Sequence, residues 1–87
     1  MARCVGYMAG FSSEGYEDCV SIVQTADYDT SHCVGYIIGS PGTDDGKAAC
    51  VQVALKTDEA YLGDCLMGLT GQSHFGATAC RIYYDNA

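Results

Sequence analysis

The chain has no Trp, a single Pro and only four Lys plus Arg. Against eleven Asp plus Glu, those few cations leave a formal net charge of −7 and a pI near 4.3. Nucleic acids and anionic membranes are bound through clustered positive charge, so neither is expected as a partner. Long apolar runs are also missing, and none approaches the roughly 20 residues that span a bilayer. The N-terminus, Met1-Ala2-Arg3-Cys4, lacks the charged head and apolar stretch of a signal peptide. It reads as using none, or as having already lost one. No two cysteines stand as close as C-x-x-C, the spacing by which one turn offers two thiolates to a single ion. No metal site and no cofactor are therefore expected. The Gly-x-Ser-x-Gly elbow, the phosphate loop, the zinc-protease motif and the calcium loop are all absent. His32 and His74 have no nucleophile or ligand set beside them and read as surface or packing residues. The paired acids Asp44-Asp45 and Asp58-Glu59 read as turn residues rather than as catalytic carboxylates. An enzyme is not expected.

What is present is a foldable composition, 48 % apolar and 17 % charged, in 87 residues, which makes one domain over residues 1–87. A chain this short buries little surface and needs staples. It has six cysteines, Cys4, Cys19, Cys33, Cys50, Cys65 and Cys80, with gaps of 15, 14, 17, 15 and 15 residues. Disulfides are the expected use, in an oxidising setting: extracellular or exposed on a virion.

The even spacing reflects a repeat of about 30 residues, with units at about 3–31, 32–63 and 64–87. The units open with Cys4-Val5-Gly6-Tyr7-Met8-Ala9-Gly10, Cys33-Val34-Gly35-Tyr36-Ile37-Ile38-Gly39 and Cys65-Leu66-Met67-Gly68-Leu69-Thr70-Gly71. An aliphatic residue follows each opening cysteine, and a Gly stands six residues after it. The closing cysteines, Cys19, Cys50 and Cys80, each have a Gly four residues before them: Gly15, Gly46 and Gly76.

Richness in Val, Ile, Tyr and Gly, with no helical period sustained beyond a turn, predicts an all-β fold. It would be a small disulfide-rich domain of three pseudo-repeated β-hairpins, closed as a pseudo-threefold barrel or prism, or laid out as a single sheet. Val51, Val53 and Leu55 alternate with Gln52, Ala54 and Lys56 and make the best strand, and Ser40-Pro41-Gly42-Thr43 is the clearest turn. Setting the cysteines of each unit opposite one another lays Met8 over Gly15, Ile37 over Gly46 and Leu69 over Gly76. That shared register favours Cys4–Cys19, Cys33–Cys50 and Cys65–Cys80, although six cysteines allow 15 connectivities. Residues 27–31 read as a polar connector, and Thr57 to Leu62 as a short helical turn.

An acid beside an aromatic recurs at the end of each unit: Asp27 with Tyr28, Asp58 with Tyr61, and Tyr84 with Asp85. Sugars are held this way, the carboxylate accepting hydroxyl hydrogen bonds while the ring packs on the apolar sugar face. Three functions follow. The first is a structural subunit, a fibre or virion decoration protein, self-associating or packing on other structural chains through hairpin edges and surfaces rich in Tyr and Gly. The second is a small glycan-binding, lectin-like protein with one shallow site per repeat. The third is a secreted toxin, effector or inhibitor.

Overall fold

A computed structural model of the chain describes residues 1–39 and 45–87. Those residues form helices α1 (Ala2–Met8), α2 (Tyr16–Thr25), α3 (Tyr28–Ile38), α4 (Gly46–Lys56), α5 (Leu62–Leu69) and α6 (Gly76–Asn86). There is no strand among the described residues, so the expected all-β fold, with its β-hairpins, barrel, prism or sheet, is overturned. The proposed turn at Ser40-Pro41-Gly42-Thr43, and Asp44 beside it, lie outside the described residues.

The three units are helical hairpins: α1 with α2, α3 with α4, and α5 with α6. Between units, α2 packs on α3, α4 on α5, and α6 returns to α1, so the helices form a closed ring. Each hairpin carries its own disulfide, Cys4–Cys19, Cys33–Cys50 and Cys65–Cys80, with Cα–Cα distances of 4.7, 4.6 and 4.4 Å. These are the pairs that the repeat register favoured, reached through a different geometry.

Residues four apart share one face of a helix. The Gly four residues before each closing cysteine therefore sits one turn from the disulfide, on the side that meets the partner helix. A Cβ on Gly46 would overlap Tyr36, one on Gly76 would overlap Gly68, and one on Gly15 would overlap the Arg3 carbonyl, with Tyr7 beside it. Tyr7, Tyr36 and Gly68 all stand three residues after the opening cysteine. Gly46 and Gly76 thus lie against the third residue after the cysteine, and Gly15 against the Arg3 carbonyl with Tyr7 next, rather than against the fourth (Met8, Ile37 or Leu69) as a strand register requires. The Gly six residues after the opening cysteine ends the first helix. Gly10, Gly39 and Gly71 adopt left-handed φ of 83°, 76° and 79°, which a side chain would resist.

Packing follows a helical stripe. Helix α4 buries Gly46, Ala49, Cys50 and Val53, and α6 buries the equivalent Gly76, Ala79, Cys80 and Tyr83. Both sets follow the spacing of zero, three, four and seven that marks one helix face. The alternation of the predicted strand fails in consequence: Val53 is buried, but Leu55, two residues on, is 75 % exposed. Eleven buried residues, Val5 and Leu66 among them, form the main core; Cys4, Cys19 and Val34 form a smaller one.

Two other local readings change. Residues 27–31 are not a plain connector, because Asp27 caps α3 by accepting a hydrogen bond from the Thr30 amide (2.9 Å). Residues 57–61 are not helical; they link α4 to α5, which begins at Leu62. No helix of the described residues is long and apolar enough to cross a membrane. The three disulfides place the folded protein in an oxidising environment.

Candidate functional site

The linkers between hairpins, residues 26–27 and 57–61, meet the two chain ends on one face of the molecule, where two open grooves adjoin. The first, of about 290 Å³, has Val53 and Leu62 in its floor and Asp27, Asp29, Lys56 and Glu59 around it. The second, of about 520 Å³, runs between Tyr61 and Ala60 on one side and Ile82, Tyr83 and Asn86 on the other. Glu59 lines both grooves.

Carboxylates dominate this face. The side chain and amide of Thr30 both hydrogen-bond Asp27 and hold its carboxyl below the ordinary carboxylate range, with help from the positive charge of Lys56. Lys56 is paired with Asp29, and this contact raises its ammonium pKa. The pairing occupies the Lys56 ammonium, while Asp27, Asp58 and Glu59 are exposed. Elsewhere, Arg3 pairs with Asp18 (3.4 Å) and Arg81 with Asp85 (3.1 Å), so neither supplies an uncompensated positive patch.

The linker itself is unusual at Tyr61, whose φ of 69° is left-handed, the sole such non-Gly residue among those described. Holding a bulky residue there costs on the order of 1–3 kcal/mol, and the cost is borne where the surroundings over-determine it. Here the Glu59 amide donates to the Thr57 hydroxyl (3.1 Å), the Leu62 amide to the Glu59 carbonyl (3.3 Å), and Leu62 is buried. Beneath the linker, the Tyr83 hydroxyl donates to the Glu59 carboxylate. Burial first, and the bond to Glu59 second, push the Tyr83 phenol well above its ordinary range, so it remains a donor. The outcome is a Tyr61 ring 49 % exposed at the mouth of the second groove.

The six residues singled out in the sequence do not form three equivalent sites. Asp27 lines the first groove as a helix cap and Tyr61 lines the second. Asp58 is exposed in the linker between them. Tyr28 points away, 61 % exposed and stacked on His32 at 3.9 Å between ring centroids. Its hydroxyl donates to Asp45 (3.4 Å), whose charge raises the Tyr28 pKa. Tyr84 belongs to the contact of α6 with α1, lying over Gly6 and 5.4 Å from the Phe11 ring. Asp85 is occupied by Arg81, whose guanidinium sits 4.9 Å over Phe11.

Glu59 and Tyr83 were missed as site residues. One signal could have found Tyr83: the shared Gly-x-x-Ala-Cys of α4 and α6 puts it at the position of Val53. A ring with a polar tip at an apolar core position needs a hydrogen-bond partner. Among the described residues no group of three or more His, Cys, Asp or Glu is placed to hold a metal ion. No protein-family model, no curated protein and no solved structure matches the chain.

Proposed function

We propose that the protein is a small stapled binding module of the secreted effector or inhibitor kind, extracellular in its place of action, whose linker face docks a basic surface of another protein. The observation that carries this is Tyr61, held in a strained backbone at a groove that it shares with Glu59, with Asp58 exposed in the same linker and Asp27 in the adjoining groove. Tyr is enriched in interface centres because it offers a large contact area with few rotatable bonds. An acidic rim on a chain of charge −7 steers and selects a basic partner. The assembly reading rested on β-hairpin edges and on surfaces rich in Tyr and Gly, and it loses the first of these supports with the strands.

The test is affinity capture from extracellular fluid of the source organism, using wild type, Tyr61→Ala, Asp58→Lys and the control Glu17→Lys on α2. A specific partner should be held by wild type and control, and weakened about tenfold or more by the two face variants. Equal capture by all four baits contradicts the proposal.

A second reading is favoured by the second groove alone, where Tyr61, Glu59 and Asn86 line one cavity of about 520 Å³. A ring, a carboxylate and an amide together suit a sugar, at one site rather than three. A glycan array on wild type and Tyr61→Ala checks it: binding lost in the variant favours a sugar, and a blank array dismisses it.

A further inference from the structure

The docking face depends on residues 57–61, a segment with no regular structure and a left-handed Tyr61 in it. The bonds along the chain, from the Glu59 amide to the Thr57 hydroxyl and from the Leu62 amide to the Glu59 carbonyl, shape the turn but do not attach it to the body. Leu62 anchors one end in the core. The middle is tied down from below by the Tyr83 hydroxyl on the Glu59 carboxylate. Tyr83 is a core residue of α6, one turn past the disulfide cysteine Cys80, so it is one of the better-fixed side chains in the molecule.

We infer that Tyr83 is the positioning residue of the linker face: through Glu59 it fixes the linker in the shape that presents Tyr61. The inference rests on the docking role proposed above and deepens it. Tyr83 is too deep to meet a partner over a wide area, yet its hydroxyl decides whether Glu59 and Tyr61 stand ready. Two consequences follow from the chemistry. Removing the hydroxyl leaves the ring in the core, so the fold persists while the linker loosens. Replacing Glu59 by Gln keeps a carbonyl oxygen to accept from Tyr83, so the linker stays tied by a weaker bond although the charge is gone.

Amide hydrogen exchange on the intact protein reads this directly, without knowledge of the partner. In Tyr83→Phe and in Glu59→Ala the amides of Glu59 and Leu62, which donate along the linker, should exchange about tenfold faster or more, as expected when a charge-assisted hydrogen bond is lost. The amides of α4 and the first turns of α6 should be unchanged. The double variant should be no faster than either single one, because both remove one bond. Glu59→Gln, which keeps a weaker neutral bond, should exchange closer to wild type than Glu59→Ala does. Unchanged linker exchange in both Tyr83→Phe and Glu59→Ala, or additive effects in the double variant, overturns the inference. Should Tyr83→Phe fail to fold, Glu59→Ala against Glu59→Gln gives the same discrimination from the exposed side. Retained capture of the partner by a Tyr83→Phe protein with a loosened linker also overturns it. An absent partner for wild type counts against the docking role and not against the latch, which the exchange data judge alone.

Discussion

Where the two helices of each hairpin cross, a disulfide and a bare glycine lie one turn apart and bring two backbones together, as at Gly68 against Gly76. Along the 57–61 linker the chain carries no staple, and an exposed tyrosine holds a conformation that favours glycine. In the crossing layer one helix of each pair contributes a glycine where a side chain would collide with its partner, and that backbone is helical. On the linker face the bulk is kept and the backbone is strained. The contrast teaches where this small protein concentrates its stability and where it gives some up, and the second place is the candidate site.

Substitutions at the two regions should therefore differ in size and even in sign. The largest effect belongs to the staples. Replacing Cys33 and Cys50 together by Ala should lower stability by about 2–5 kcal/mol, read from urea unfolding, since a bridge mainly restricts the unfolded chain. Next, Gly76→Ala drives a methyl into the Gly68 backbone and should cost about 1–3 kcal/mol or more, with loss of the α5–α6 contact. A neutral result there would mean that the hairpins do not cross as described. Gly71→Ala should cost about 1–2 kcal/mol from the left-handed backbone alone, because open space surrounds that position.

At the linker the sign changes. Tyr61→Gly should leave stability unchanged or raise it by up to about 1 kcal/mol, by relieving the same backbone penalty. A clear loss of stability would show that Tyr61 is structural and would blur the distinction between the regions. The smallest effect concerns pH. The Asp27 carboxyl is held below its ordinary value by Thr30, so it contributes stability above the unfolded-state pKa, and that contribution fades as pH falls through the folded one. Asp27→Asn should flatten the acid limb of the stability curve slightly and leave the neutral region nearly level.

The repeat and the positions of its cysteines and glycines were legible in the sequence because they are spacing facts; the disulfide partners were reached through a strand register that the fold does not use. The type of element was not legible, for a physical reason. Val, Ile and Tyr carry strand propensity, but tertiary burial overrides it in helices of seven to eleven residues. The decisive clue was the separation of four between Gly46 and Cys50, repeated at Gly76 and Cys80, with Ala49 and Ala79 between. Strand alternation also puts residues four apart on one face, but it turns the Ala to the other side. Only a helix buries all three together. At the site, Asp27 and Tyr61 stood out by composition, whereas Glu59 and Tyr83 owe their pairing to the approach of α6 beneath the linker, which no local pattern encodes.

The fold is three helical hairpins, each closed by its own bridge. A peptide map made without reductant, after cleavage between successive cysteines, tests this most directly. It should return three linked pairs, Cys4 with Cys19, Cys33 with Cys50 and Cys65 with Cys80. A linked pair that joins two hairpins, such as Cys19 with Cys33, would contradict it.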